Sequence, residues 1–152
     1  MGLKTDRWHA AVPIIASGRV LLTAYDSDTL DCLDLRTGRL IWSVPRDVND
    51  LYVGGVINDK VIVVGRNQVR AYHLFGEDVQ QQRPRLAFDG VVIPTPTGHG
   101  AAGKGVYYIP VRPENAGKGE NPSAEIWAID VETGTVRSKT AARLIGNDVE
   151  LA

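Results

Sequence analysis

LDLRTGRLIW occupies residues 33–42, and its first six residues return as IDVETG at residues 129–134. In both copies an Asp follows an apolar residue, and a Gly stands four positions after that Asp. An Asp that ends a strand can accept hydrogen bonds from the amides after it, and Gly supplies the positive φ of a short hairpin loop. The sequence therefore predicts two hairpins between third and fourth strands, with turn residues Asp34, Thr37 and Gly38, and Asp130, Thr133 and Gly134.

A second pattern also repeats. Apolar segments lie at 18–24, 59–65 and 104–110, and their valines Val20, Val61 and Val106 serve as markers. The steps between them are 61 − 20 = 41 and 106 − 61 = 45 residues, while the hairpin motif recurs after 129 − 33 = 96 residues. Two independent markers indicate internal repetition of the chain.

Each repeat contains short strand-like segments separated by turn residues, with little helical periodicity. Four strands per roughly 40 residues is typical of a β-propeller blade. We therefore predict an all-β chain that forms β-propeller blades of four antiparallel strands in an incomplete ring, as a single partial domain over 1–152. The blade repeats are expected at approximately 10–45, 50–84 and 89–141, with the start of a further unit at 144–152. The predicted strands lie at 11–16, 20–25, 29–35, 40–44, 51–57, 61–66, 68–74, 79–83, 90–94, 105–111, 125–131 and 135–140.

The second strand of each repeat is apolar almost without alternation, which is typical of a sheet covered on both faces. His73 replaces the Asp of the turn motif in the middle repeat. We expect Trp42 to cover a neighbouring blade with its ring, and Ser138 stands at the corresponding position 96 residues later. The polar stretch at 113–123 predicts a long hairpin loop that is either mobile or used in binding.

Residues 19–42 and 126–136, and more weakly 61–76, resemble the repeat of the PQQ-binding-like β-propeller family, also described as quinoprotein-dehydrogenase-like. That family includes PQQ-dependent dehydrogenases, an outer-membrane assembly lipoprotein that binds other proteins, and many bacterial proteins of undetermined function. Fold likeness therefore does not choose between an enzyme and a scaffold.

The resemblance implies features that can be sought in this chain. Many PQQ alcohol dehydrogenases have a vicinal Cys-Cys pair, a calcium held by Glu and Asn, a catalytic Asp and a Trp under the quinone. Here Cys32 is the single cysteine, and Trp42 matches the Trp of the repeat that packs between blades. We predict no catalytic, cofactor-binding or metal-binding residue in this chain; PQQ and calcium would require a longer parent.

Other motifs have simpler explanations. GHGAAGKG at 98–105 matches both GxGxxG and most of a phosphate loop, but a strand is predicted after it where a phosphate site needs a helix. The acidic residues from Asp26 to Asp34 lack the Gly and Glu that complete an EF-hand loop. The histidines lie in three different repeats, which argues against a shared metal site, and they are His9, His73 and His99.

The 152 residues carry 17 basic and 18 acidic side chains, so the formal charge is 17 − 18 = −1. With 43% hydrophobic and 23% charged residues, the composition is that of a globular chain with no basic surplus for nucleic acid. No apolar stretch of membrane-spanning length and no signal peptide is evident. For the parent protein, the family resemblance favours a bacterial periplasm or cell envelope.

Three functions remain open from the sequence. The leading hypothesis is a non-catalytic scaffold that binds a protein or other macromolecule, and a homodimer could close a six-bladed ring. The alternative is part of a PQQ-dependent quinoprotein oxidoreductase. A weaker third possibility is the sensor domain of a larger signalling protein.

Overall fold

The structure is a computed structural model that describes residues 12–24, 26–113, 124–145 and 148–151. Within these ranges every regular element is a β-strand, which confirms the predicted all-β class. The strands are β1 (Ile14–Ala16), β2 (Arg19–Leu22), β3 (Thr29–Asp34), β4 (Leu40–Pro45), β5 (Asp50–Ile57), β6 (Lys60–Gly65), β7 (Gln68–His73), β8 (Leu86–Val92), β9 (Ala101–Gly103), β10 (Val106–Val111), β11 (Glu125–Asp130), β12 (Thr135–Ile145) and β13 (Asp148–Leu151).

The strands form three antiparallel sheets in which neighbours in sequence are neighbours in space. Their orders are β1-β2-β3-β4, β5-β6-β7-β8 and β9-β10-β11-β12-β13. β13 pairs with the end of β12, beyond the part that pairs with β11, so β9–β12 form a four-stranded unit like the other two. Four consecutive antiparallel strands are the pattern of a propeller blade, and we call these units blade 1, blade 2 and blade 3.

Blade 2 lies between its two neighbours, and β6 at its centre is buried along its whole length. Val61 and Val63 pack in one apolar cluster with blade 1, including Trp42. Ile62 and Val64 pack in a second cluster with blade 3. Because successive side chains of a strand point to opposite faces, an unbroken apolar run covers both neighbours.

The strand register corrects one of the sequence markers. Val20 pairs with Leu33, and Val61 pairs with Tyr72, but the corresponding pair in blade 3 is Tyr107 with Ile129. Val106, used as the marker, pairs instead with Asp130. The marker was wrong by one residue because β10 is apolar on both faces, so composition alone does not distinguish adjacent positions.

The predicted strand at 79–83 is also wrong. Backbone hydrogen bonds between Asp78 and Arg83 close a loop there, and Gln81 N–H donates to the Asp78 carboxylate at 2.9 Å. The fourth strand of blade 2 is β8, so this sheet extends past the predicted boundary at residue 84. The segment at 90–94, expected to begin blade 3, is shared between the end of β8 and the connection that follows it.

At the end of the chain, the start of a further unit expected at 144–152 stays a prediction. β12 continues to Ile145, and β13 pairs with it in the same sheet. Residues 1–11 lie outside the described residues, and they include the first residue of the strand predicted at 11–16. Residues 114–123 of the predicted polar loop also lie outside them. In the described part of the chain, no helix is long and apolar enough to cross a membrane.

Candidate functional site

The two turn motifs have matching geometry. Asp34 Oδ1 accepts hydrogen bonds from Arg36 N–H at 2.9 Å and Thr37 N–H at 2.8 Å. Asp130 Oδ1 accepts the corresponding bonds from Glu132 N–H at 2.9 Å and Thr133 N–H at 3.1 Å. The turn glycines, Gly38 and Gly134, have φ of 72° and 67°. These aspartates are therefore occupied within their own turns.

Hydrogen bonding also changes the acidity of these carboxyls. The amide of Thr37, followed by its hydroxyl, lowers the pKa of Asp34. The amide of Thr133 does the same most strongly for the pKa of Asp130, with a smaller contribution from Arg137, 2.8 Å away. Both carboxylates remain charged and serve as turn acceptors.

Trp42 lies in the seam between blades 1 and 2, fully buried against blade 2. Its indole N–H donates to the Leu74 carbonyl oxygen at 3.2 Å. Ser138, at the corresponding position of blade 3, is exposed. His73, which replaces the turn Asp in blade 2, donates its backbone N–H to the Arg85 carbonyl, as Asp34 N–H donates to the Arg39 carbonyl.

The glycine-rich segment at 98–105 packs against aromatic side chains. A Cβ built on Gly100 would lie 2.5 Å from Tyr107 Oη, and one built on Gly54 would lie 2.6 Å from it. Tyr52 Oη accepts from Gly100 N–H at 3.0 Å and donates to the Gly98 carbonyl at 3.1 Å. The GxGxxG spacing thus reflects close packing around two tyrosines at the seam between blades 2 and 3.

Burial of these tyrosines raises the pKa of Tyr52, and burial together with the neighbouring Tyr52 hydroxyl raises the pKa of Tyr107 further. The two hydroxyl oxygens are 3.4 Å apart. His99 lies against the Tyr52 ring with a centroid separation of 4.4 Å and its own ring exposed. The phenols stay neutral and act as hydrogen-bonding groups of the seam.

A buried ion pair lies in blade 2 on the face toward blade 1. The two terminal nitrogens of Arg70 each donate to one carboxylate oxygen of Asp50 at 2.6 Å, and Arg70 Nε donates to Tyr72 Oη at 3.0 Å. Burial opposes the charge of Arg70, but the Asp50 carboxylate more than compensates and raises the pKa of the guanidinium. The guanidinium therefore stays charged and held by two hydrogen bonds to Asp50.

Two further ion pairs join successive blades, and in each the cation is the first residue of a second strand. Arg19 begins β2 and bonds Glu77 of blade 2 at 3.0 Å; Lys60 begins β6 and bonds Glu132 of blade 3 at 2.9 Å. Arg19 also contacts the Phe75 ring, with its guanidinium carbon 4.4 Å from the ring centroid. We call these contacts the seam latches.

The seam latches were not predicted from the sequence. A usable signal was present, because Arg19 and Lys60 each stand directly before the marker valine of their repeat. Burial raises the pKa of the nearby Cys32 thiol to about 11, so this cysteine is an inert part of the same seam.

A groove of about 330 Å³ opens at the outer rim, between the β3–β4 turn of blade 1 and the β7–β8 loop of blade 2. Leu40 and Val79, 42% and 80% exposed, are the exposed large apolar side chains in its wall. We call this surface the rim groove. Its other lining residues are Asp34, Arg36, Thr37, Arg39, Ile41, Glu77 and Gln82.

The other candidate residues are not gathered into a site. Asp31 accepts from the Ser43 hydroxyl at 2.6 Å, and the described residues contain no group of three or more His, Cys, Asp or Glu side chains that could hold a metal ion. His9 lies outside the described residues, and His73 and His99 belong to different blades. No buried side-chain polar atom of the described residues lacks a hydrogen-bond partner.

Comparison with known proteins gives the fold. No protein-family model matches the chain, and no curated protein matches it. Among solved structures, the quinohemoprotein alcohol dehydrogenase from Comamonas testosteroni matches 90% of this chain and 21% of its own, with a TM-score of 0.57 and 19% identity. The three sheets of this chain are β-propeller blades.

Two other solved structures support the same fold. The computationally designed protein Ika8 matches 93% of this chain and 42% of its own at a TM-score of 0.58 and 14% identity. The N-terminal domain of Nup159 matches 97% of this chain and 45% of its own, at a TM-score of 0.55 and 12% identity. The chain thus spans less than half the length of each of the three. At these identities the likeness shows the fold alone, and the PQQ-specific resemblance stays a prediction.

Proposed function

We propose that this chain is a non-catalytic β-propeller scaffold that binds a segment of another protein in the rim groove. The observation that carries this proposal is the exposure of Leu40 and Val79 beside Arg39 in a groove formed by loops from two blades. Loops held by a rigid sheet framework commonly provide the binding surfaces of such folds.

The charges of the groove favour one kind of partner. Asp34 accepts three hydrogen bonds from its own turn, and Glu77 accepts two from Arg19. Burial opposes ionisation of Glu77, but the Arg19 hydrogen bonds prevail and lower its pKa. With both acids bonded internally, the arginines of the turn provide the outward charge. A partner segment with acidic and apolar side chains fits this surface.

The β7–β8 loop, which forms one wall of the groove, also covers part of a sheet edge. β4 is the last strand of blade 1, and Ser43 N–H donates to the Gln82 carbonyl at 2.9 Å. Gln82 Nε2 donates back to the Leu40 carbonyl at 3.3 Å. Since the β7–β8 loop already occupies this part of the edge, a partner would bind mainly through side chains and not by adding a strand.

Protein binding occurs in one structure with a similar fold. A chain in the complex of S. cerevisiae Dbp5 bound to Nup159, Gle1, IP6 and ADP matches 91% of this chain at a TM-score of 0.52 and 12% identity. This precedent is consistent with a scaffold, and the binding proposed for this chain rests on its own groove.

The experiment is selection of a displayed random peptide library on the folded chain, followed by affinity measurement on the selected peptides. We expect enrichment of acidic-apolar peptides and at least about tenfold weaker binding to Leu40→Asp and Val79→Asp, since each substitution places a charge in the apolar wall. Val48→Asp is the matched control, because Val48 is also 80% exposed but lies outside the groove. Equal losses in all three variants, or no enriched peptide, would contradict the proposal.

The remaining expectations stay predictions. The rim groove does not bear on three of them: the absence of a cofactor from this chain, a quinoprotein parent that carries PQQ and calcium, and an envelope location. Uptake of PQQ by a full-length parent, measured by calorimetry, would favour the oxidoreductase alternative.

A further inference from the structure

The two faces of a blade carry different groups, and blade 1 has one face that no described residue covers. Its front face packs on blade 2 through Leu21, Cys32 and Trp42. On its back face Ile15 and Leu35 are 65% and 48% exposed. Val20, Leu22 and Leu33, on the same face, are half-buried. This back face is equivalent to the face of blade 2 that packs on blade 1.

The seam latches show which side chains of two successive blades contact each other at one end of such a face. In each seam, the first residue of the second strand reaches the turn after the third strand of the next blade. Arg19 contacts Phe75, two residues after His73, and Lys60 bonds Glu132, two residues after Asp130. His73 and Asp130 hold the same register position. His73 pairs with Lys60, the first residue of β6, and Asp130 pairs with Val106, the first residue of β10.

The equivalent position of blade 1 is Arg36. It lies two residues after Asp34, which pairs with Arg19, and its N–H bonds the Asp34 carboxylate as the Glu132 N–H bonds Asp130. Arg36 is exposed. Where the two internal seams present an aromatic ring or a carboxylate to a cation, this face presents a cation.

Asp31, a second charged side chain on this back face, is already bonded, since it accepts from the Ser43 hydroxyl at 2.6 Å. A blade that placed Arg or Lys over Arg36 would bring two like charges together, which is unfavourable in a partly buried seam. A blade that placed a carboxylate there would form a latch with its charges reversed.

We infer that the back face of blade 1 binds a β-blade whose second strand begins with Asp or Glu, and that it discriminates against the front face of a second copy of this chain. In such a copy, the position of Arg19 and Lys60 is held by Val106. Docking of Val106 over Arg36 would remove water from a guanidinium without supplying an acceptor. Arg36 also lines the rim groove, whereas Ile15 and Val106 do not, so only the Arg36 variants bear on both proposals.

The probe is the chain itself, with its blade 3 front face altered. Val106→Glu supplies the carboxylate, and Val106→Lys supplies the unfavourable cation. We expect sedimentation equilibrium to show self-association of Val106→Glu at least about fivefold tighter than that of the unaltered chain. Val106→Lys should associate no more tightly than the unaltered chain, and adding Arg36→Glu to it should restore the gain.

Two controls assign the gain to the back face. Ile15→Asn, on that face, should abolish it, whereas Val48→Asn, at an exposed turn elsewhere, should leave it unchanged. Each variant is checked for a cooperative thermal melt. Lys is already accommodated at this register by blade 2, where Lys60 is 9% exposed.

A further variant leaves the buried Val106 unaltered. Arg36→Phe changes only an exposed turn residue and removes the guanidinium, so the unaltered blade 3 face should then associate more tightly. Three results would overturn the inference: equal association of Val106→Glu and Val106→Lys, no change with Arg36→Phe, or a tight head-to-tail dimer of the unaltered chain. The last would instead establish closure of a ring by two copies.

Discussion

Trp42 Nε1 donates a hydrogen bond across the seam to the carbonyl oxygen of Leu74, 3.2 Å away, and both side chains are fully buried. The same carbonyl accepts from the Arg19 guanidinium. Blade 1 and blade 2 are therefore joined by directional bonds as well as by apolar packing. Such bonds specify how the blades are positioned, which apolar contact alone does not.

Substitution of Trp42 tests this seam. Trp42→Ala should destabilise the chain by about 3–5 kcal/mol, since it leaves a large cavity between two blades. Trp42→Phe should cost less, about 1–2 kcal/mol, because Arg19 continues to bond the Leu74 carbonyl. Urea unfolding measures both, with Tyr108→Ala as an exposed aromatic control expected within about 0.5 kcal/mol of the parent. Equal effects of Trp42→Ala and Tyr108→Ala would contradict the packing described.

The glycine-rich segment should behave as a packing element. Gly100→Ala places a methyl group against Tyr107 and the Tyr108 carbonyl, each 2.5 Å away, and should cost about 1–3 kcal/mol. Gly103→Ala meets nothing closer than 3.9 Å and should be nearly neutral. Thermal melts of the two variants check this. If the segment were instead a phosphate loop, both variants would keep their stability and lose nucleotide binding.

The buried pair of Asp50 and Arg70 should show strong coupling. Asp50→Ala leaves the Arg70 charge buried without its partner and should cost about 3–5 kcal/mol. The double variant Asp50→Leu with Arg70→Met should lose less than the sum of the single substitutions, because neither charge remains. A double-mutant cycle from chemical denaturation provides the comparison. Simple additivity would show that the two side chains act independently.

The turn and latch carboxylates predict acid sensitivity. Their pKa values are lowered in the folded chain: the Thr37 and Thr133 amides act on Asp34 and Asp130, and Lys60 acts on Glu132. A folded pKa below the unfolded value, which is about 4 for these groups, stabilises the fold above that pH. The free energy of unfolding should therefore be flat from pH 7 to about 5 and fall as the pH drops through the lowered pKa values.

Asp34→Asn is the control for this pH dependence. Its amide oxygen still accepts hydrogen bonds from the turn, but the side chain no longer titrates. We expect a shallower loss of stability between about pH 5 and 3 than in the parent chain. A parent chain equally stable at pH 7 and 3 in urea titrations would contradict the role assigned to these carboxylates.

The local patterns in the sequence were sufficient for the blade motif. The Asp-x-x-Thr-Gly spacing predicts a turn because its hydrogen bonds join residues only two or three positions apart. The unbroken apolar run of β6 predicts a strand covered on two faces for a similarly local reason. The end of blade 2 was predicted poorly, because residues 78–83 close a loop through backbone bonds between Asp78 and Arg83, with Gln82 at a positive φ.

The sequence by itself determined the all-β class, the repeat and the residues of the tight turns, because these depend on neighbours along the chain. Tertiary structure alone decided that Tyr107 is the partner of Ile129, that Gly100 makes room for a tyrosine, and that Leu40 and Val79 share one groove. It also decided the latch between Lys60 and Glu132, whose residues are 72 positions apart. Such contacts depend on how sheets stack, and a one-residue change of register moves every side chain to the opposite face.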